Sequence, residues 1–174
     1  MSRRHDEPMA PTDRYESVAG EHTLDDERLR VLYRRWRAAC GSRTMPTRSF
    51  VDPVNLADFL GWLFIYDIEG PQPRFRYRLF ASAVAARVGF DLTGKLVDDH
   101  PIAHVRDSIR HSLDLVVNGR SPVRVSAERL LLGKCYRSEV LLMPLGEADG
   151  QVDRILGCQS VPPDMPRQWV LGER

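Results

Sequence analysis

The most constraining stretch of the sequence is residues 75–94, where a strand, a short helix and a glycine turn follow one another without a linker. Because side chains alternate between the two faces of a strand, the segment FRYRLF has one apolar face and one basic face. The apolar side chains are Phe75, Tyr77 and Leu79, and the basic ones are Arg76 and Arg78. An alanine-rich segment then runs to Gly89. The sequence predicts a half-buried strand that leads directly into a short helix.

The composition is that of one soluble globular domain. Of 174 residues, 43% are hydrophobic and 28% are charged, and no apolar run approaches the roughly 20 residues that span a bilayer. The basic N-terminus has no apolar segment after it, so we expect no signal peptide, no membrane association and a cytoplasmic location. A formal net charge of +1 gives no reason to expect a nucleic-acid partner.

The order of predicted elements indicates an α+β domain with an antiparallel sheet. Polar residues 1–22 are expected to form a flexible tail, and an amphipathic helix is expected to start after Thr23 and to end at Gly41. Two strands, short helices and one long helix over residues 98–119 follow, and then three strands up to Val161. Residues 162–174 are expected to be a C-terminal tail of unknown role. The domain is therefore expected to cover residues 23–161.

Motifs along this domain resemble the PAS domain family, specifically a bacterial stand-alone subfamily. The matching residues are Leu32, Tyr33 and Trp36 in the first helix, Pro46, Arg48, Asp52 and Pro53 in the connector, Phe75-Arg76-Tyr77-Arg78-Leu79, Val88-Gly89, Leu92-Thr93-Gly94, and Pro144-Leu145. The resemblance implies a five-stranded antiparallel sheet with helices on one face, a pocket between them, and a sensory role. The chain departs from the family at Ala81, where glycine is expected. It leaves no length for an output domain, so we expect it to signal in trans.

The predicted ligand pocket is formed by residues around the opening strand. These candidates are Tyr66, Tyr77, Arg78, Val84 and Phe90. Aromatic rings can stack on a ligand, and a guanidinium can hold a carboxylate or phosphate. The alternative is that Tyr77 lies in the core and that Arg78 pairs with Asp67 across the hairpin.

The apolar stripe of the first helix has two possible partners. Leu29, Leu32, Tyr33 and Trp36 recur at steps of three and four residues, so they share one helical face. This face can pack on the chain's own sheet, or it can pair with a second copy in a homodimer. The sequence alone leaves both arrangements open.

The sequence contains no strong catalytic, metal or cofactor motif. His100 and His104 stand four residues apart, as in half of a zinc site, but a solvated helix face is the favoured interpretation. Three widely spaced cysteines predict reduced thiols. No haem or flavin motif is present, so the cofactor is unknown and we expect a colourless protein.

The functional hypothesis is a PAS-like sensory module without catalytic turnover. It would bind a small molecule or a signalling partner, and it would form a homodimer through its first helix. One alternative is a small-molecule enzyme of the cone-shaped α+β type, which would need an acid–base pair in its pocket. The other is a protein-interaction domain without a ligand.

Overall fold

The computed structural model describes residues 12–131, 133–147 and 150–166, which contain six strands and four α-helices. The strands are β1 (Thr12–Ser17), β2 (Leu63–Glu69), β3 (Arg74–Leu79), β4 (Val123–Leu131), β5 (Lys134–Gly146) and β6 (Val152–Ser160). The helices are α1 (Glu27–Cys40), α2 (Pro53–Leu56), α3 (Ser82–Val88) and α4 (Ala103–Gly119). Short 3-10 turns lie at Glu21–Thr23, Arg48–Phe50, Ala57–Phe59 and Val97–Asp99. Within these ranges, no helix is long and apolar enough to cross a membrane.

All six strands form one antiparallel sheet in the order β1-β4-β5-β6-β2-β3. Helices α3 and α4 cover one face of the sheet, which we call the inner face, and α1 covers the opposite, outer face. On the central strand β5, Ser138, Val140 and Leu142 point to the inner face, and the residues between them point outward. The expected α+β antiparallel fold is confirmed.

Helix α1 forms because its ends are capped and one of its faces is apolar. The Asp26 carboxylate accepts a hydrogen bond from the backbone N–H of Arg28 at 2.7 Å, and Gly41 ends the helix with a φ of 57°. The helix therefore begins with Asp26 as its cap, not Thr23. The apolar stripe packs into the protein core on the outer face, where Trp36 Nε1 donates to the Pro144 carbonyl oxygen at 3.0 Å.

Helix α3 begins directly after β3, as the sequence predicts. The backbone N–H of Ala83 donates to the Gly61 carbonyl at 2.9 Å, which anchors the first turn. Gly89 ends the helix with a φ of 83°, a left-handed conformation in which any side chain would be strained. Helix α4 buries Leu113 and Val116 against the sheet. These two helices form the roof over the inner face.

Two sequence-based expectations are wrong in detail. The sheet has six strands instead of five, because β1 pairs with β4 over residues that were expected to be a flexible tail. Val18 continues this docking, since its backbone N–H donates to the Pro122 carbonyl at 3.0 Å and its side chain is buried. The tail expectation therefore fails for residues 12–22, whereas residues 1–11 lie outside the described chain. Alternating polar residues at an exposed sheet edge resemble a tail in composition.

The start of the C-terminal segment packs against the sheet. Met165 is buried together with Tyr136 and Val161, and Arg87 Nη1 donates to the Met165 carbonyl at 3.4 Å. The Arg87 guanidinium also lies 5.3 Å from the centroid of the Trp62 ring. The segment is thus attached to α3 up to residue 166, and residues 167–174 lie outside the described chain.

Candidate functional site

A cavity lies between the inner face of the sheet and the roof formed by α3 and α4. Its volume is about 140 Å³. Its apolar lining includes Phe64, Phe80, Val84, Phe90, Val140 and Leu142. Because strands β2, β4, β5 and β6 and both roof helices contribute, the cavity is a product of the tertiary fold and not of one local motif.

Aromatic rings form one wall of the cavity. Phe64 meets Phe80 edge-to-face at a centroid distance of 5.3 Å, and Phe80 lies 6.2 Å from Phe90. Phe64 also stacks with Tyr66 at 6.2 Å. Burial raises the pKa of Tyr66 well above its ordinary value, so its hydroxyl stays protonated. Such a wall favours a flat apolar ligand, because rings pack edge-to-face or offset at these distances.

Two polar side chains face the cavity without a hydrogen-bonding partner in the part of the chain that the structure describes. Ser138 on β5 and Gln159 on β6 are only 4% and 6% exposed, and neither side chain forms a hydrogen bond with any described residue. Val140 is the register partner of Gln159, and Ser138 lies two residues along on the same face. Buried polar groups are nearly always hydrogen-bonded, to water or a ligand if not to protein. We call these two residues the cavity pair.

Charged side chains at the cavity rim are already paired with each other. Arg129 Nη2 donates to Asp13 Oδ1 at 2.8 Å, and Ser108 Oγ donates to Asp13 Oδ2 at 2.5 Å. The Tyr15 hydroxyl donates to Ser108 Oγ at 2.8 Å. This network joins β1, β4 and α4, so the unexpected strand β1 closes one side of the cavity. It leaves neither Asp13 nor Arg129 free of a partner.

His100 and His104 line the cavity instead of a fully solvated helix face, which corrects the expectation from sequence. His100 is 4% exposed, its Nδ1 accepts the backbone N–H of Ile102 at 3.1 Å, and its ring meets Phe90 edge-to-face. Burial lowers the pKa of His100 below its ordinary value, so the ring is neutral near pH 7. His104 is exposed at the rim. The described residues contain no cluster of three or more side chains suited to a metal ion.

Three of the five predicted pocket residues line the cavity, namely Tyr66, Val84 and Phe90. Tyr77 is fully buried behind Tyr66, with ring centroids 5.0 Å apart, and it does not line the cavity. Arg78 is exposed on the outer face and lies 3.4 Å from Asp67. The alternative interpretation of the sequence therefore describes these two residues: Tyr77 lies in the core, and Arg78 pairs with Asp67.

The cavity pair was not predicted because its sequence signal is weak. Ser138 lies in a strand that alternates only in part, and Gln159 closes an apolar run where either face could be buried. The detectable signal is a polar residue at an inward position of a strand. It becomes visible only when the register with neighbouring strands is known, as it is here for β4, β5 and β6.

The start of α1 is held by a polar cluster on the outer face. Glu139 is buried and accepts hydrogen bonds from the backbone N–H groups of Asp25 at 3.1 Å and Asp26 at 3.0 Å, and from the Arg124 guanidinium. Ser160 donates to the Asp26 carboxylate. Burial alone would raise the pKa of Asp26, but the hydrogen bonds from Ser160 and from the helix backbone outweigh it and lower that pKa. We call Glu139 and Ser160 the outer clamp.

The outer clamp and the cavity pair are neighbours along the same two strands. Glu139 follows Ser138 in β5, and Ser160 follows Gln159 in β6. Glu139 and Ser160 are also register partners. Because successive residues of a strand point to opposite faces, the cavity pair contacts the cavity while the clamp holds α1 directly behind it. A displacement of either strand would therefore act on both sites.

The predicted dimer stripe lies mostly within the core of one chain. Leu29 and Leu32 are fully buried, and Trp36 is 2% exposed. Tyr33 is half-buried and stacks on Trp36 at 6.0 Å. In this arrangement only Tyr33 remains accessible to a second copy, and the other three side chains follow the alternative of packing on the chain's own sheet.

The family assignment follows from comparison with known proteins. The PAS domain family matches residues 24–160, and the chain belongs to this family. Among solved structures, the chain is distantly similar to a light-oxygen-voltage domain studied with a flavin analogue, at 13% identity over 67% of this chain and 89% of that chain, with a TM-score of 0.42.

Two further structures are similarly distant. An RNA-binding light-oxygen-voltage receptor is 17% identical over 88% of this chain and 39% of the receptor, with a TM-score of 0.42. A Rhodobacter sphaeroides LOV protein is 19% identical over 65% of this chain and 67% of that chain, with a TM-score of 0.38. No match was found among curated protein sequences.

Proposed function

We propose that this PAS domain is a sensory module whose ligand occupies the cavity beneath α3 and α4. The observation that carries the proposal is the cavity pair, since Ser138 and Gln159 are buried, face the cavity beside its aromatic and aliphatic wall, and have no hydrogen-bonding partner among the described residues. Their polar atoms are open to the cavity, so a ligand held there can supply the hydrogen-bonding partners that such groups nearly always have. PAS domains commonly act as sensors, so a ligand bound in this cavity would have a physiological role as the signal.

The signal would pass through the sheet to α1. A ligand that prefers one position of β5 and β6 also prefers one position of the outer clamp, because the clamp residues follow the cavity pair in sequence. The clamp holds the backbone of Asp25 and Asp26, so the start of α1 is the first part of the outer face to respond. The output would be a changed contact between this surface and a partner.

The proposal extends to partners and location. We propose that the module acts in trans in bacterial signalling, in the cytoplasm, as a homodimer or with a partner protein. A homodimer through α1 would use its exposed face with Tyr33, since the rest of the stripe is buried. Our expectations of no nucleic-acid partner, no membrane association and no catalytic turnover stay predictions.

The cavity also favours one second candidate, a small-molecule enzyme, because Asp13, His100 and His104 line it. The Asp13 carboxylate, however, accepts hydrogen bonds from Arg129 and Ser108. His100 has one nitrogen committed to a backbone N–H. Loss of these three side chains would abolish turnover in an enzyme, whereas a sensor has no turnover to lose.

The test of the proposed function is a fluorine NMR screen of a broad fragment library against three proteins. These are the wild type, Val84→Trp, which fills the cavity, and Val54→Trp, which makes the same change at a side chain that is 84% exposed. We expect compounds that bind the wild type and the control but not Val84→Trp, and that alter amide hydrogen exchange over residues 25–30. Binding that survives Val84→Trp, or no binding from the whole library, would overturn the proposal.

A further inference from the structure

We infer that the cavity is selective for a neutral ligand with one six-membered ring and a single amide-like head group, which the cavity pair binds. This inference rests on the proposed function and adds the chemical class of the ligand. Size, wall chemistry, charge and hydrogen-bonding capacity each restrict the class independently.

Size restricts the ligand to a single ring with a short substituent. The cavity offers about 140 Å³, which is close to the roughly 150 Å³ of engineered apolar cavities that bind benzene in other proteins. A tricyclic or larger ring system does not fit this volume without a rearrangement of α3 or α4. The aromatic wall of Phe64, Phe80 and Phe90 favours a flat ligand over a branched one of equal volume.

Charge restricts the ligand to a neutral molecule. Asp13 and Arg129 are paired with each other at 2.8 Å, and buried His100 is neutral near pH 7. Among the described charged or titratable side chains that line the cavity, each has an opposite charge or a hydrogen-bonding partner, with one exception. The exception is the rim residue His104, which is exposed. A carboxylate or ammonium would lose its hydration without gaining a buried counter-ion, and such a transfer is strongly unfavourable.

The cavity pair specifies the head group. The Gln159 side chain offers one carbonyl acceptor and an NH₂ donor, and the Ser138 hydroxyl can donate and accept. Diagonal neighbours on adjacent strands lie about 7–8 Å apart, so one head group can lie between these two side chains. A primary carboxamide has both a donor and an acceptor and therefore satisfies both residues at once, which a carbonyl alone or an apolar group does not.

The experiment uses four probes that share one benzene ring and differ in a single small substituent. These are benzamide, benzoate, benzylamine and toluene, titrated into the full chain and followed by two-dimensional amide NMR spectra. We expect benzamide to bind at least tenfold more tightly than each of the other three. Tightest binding by benzoate or benzylamine would overturn the neutral-ligand inference, and tightest binding by toluene would overturn the head-group inference. Either result leaves the cavity a ligand site.

Two variants test whether the cavity pair contacts the head group of benzamide. Toluene binding by the same variants serves as the control for folding. Gln159→Met and Ser138→Ala should weaken benzamide binding at least tenfold and fivefold, respectively, while toluene binding stays within threefold of wild type. Ser126→Ala, on the outer side of β4, is the matched control and should change neither. Benzamide binding that is unaffected by both cavity variants would overturn the inference.

Failure of this inference differs from failure of the proposed function. If none of the four probes binds but members of the broad library bind at the cavity, the size and head-group class is wrong and the sensory proposal stands. If neither the probes nor the library binds, both are wrong.

Discussion

Removal of the Glu139 side chain should lower the free energy of unfolding strongly, and the effect should appear first at the start of α1. In Glu139→Ala, the backbone N–H groups of Asp25 and Asp26 lose their acceptor, and the Arg124 guanidinium, whose side chain is 14% exposed, loses its most buried partner. Breaking a buried pair by removing one member costs about 3–5 kcal/mol. With a urea m-value of about 2 kcal/mol/M, the unfolding midpoint should fall by about 1.5–2.5 M.

The assay is urea unfolding followed by circular dichroism, together with hydrogen exchange. Glu139→Gln should cost about 1–3 kcal/mol, because it keeps one acceptor oxygen and loses the charge. Arg137→Ala is the control, since its ion pair with Glu128 is exposed and should contribute at most about 1 kcal/mol.

The outer-clamp reasoning also predicts where the loss appears. Amide exchange in Glu139→Ala should accelerate first in residues 25–30. A midpoint shift below about 0.5 M, which corresponds to about 1 kcal/mol, would refute the reasoning. Acceleration spread evenly over the sheet would refute it too.

Three further predictions test other parts of the structure. Leu32→Ala should cost about 2–5 kcal/mol of stability, because Leu32 is fully buried, and Tyr33→Ala should cost less; if Tyr33→Ala instead destabilises more, the α1 packing is wrong. Burial lowers the pKa of His100, so the unfolded chain binds more protons, and stability should decline as pH falls below about 6.5. Urea midpoints at several pH values should show this decline reduced in His100→Asn, and an identical decline in the variant would contradict it. A thiol reagent should label only Cys135 rapidly in the folded protein, since the other two cysteines are buried and burial raises their pKa; rapid labelling of more than one thiol would contradict the core packing.

The sequence was sufficient for elements whose signals are local. The alternation of FRYRLF and the cap and stripe of α1 come from neighbouring residues, so β3, α3 and α1 were predicted with only small errors at their ends. β1 was missed because an edge strand gains its stability from pairing with a distant partner. Thr12 pairs with Glu128, which is 116 positions further along the chain, and nothing in the local composition encodes that pairing.

The sequence predicted only those cavity residues that belong to an aromatic or apolar pattern. Tyr66, Val84 and Phe90 follow from aromatic and apolar patterning around the opening strand. Arg78 was a natural candidate because a guanidinium binds anions, but strand alternation places it on the outer face, where its side chain reaches Asp67 at 3.4 Å. Ser138 and Gln159 depend on the register of β5 against β6, which is a tertiary property.

Intermolecular nuclear Overhauser effects test the central claim most directly. A compound that binds the methyl-labelled protein should show effects to Val84 and Leu142, which line the cavity, and none to Val54 or Leu60, which are 84% and 61% exposed. Effects confined to Val54 and Leu60 would show that the compound binds the surface, and would contradict a sensory ligand site between the sheet and its roof.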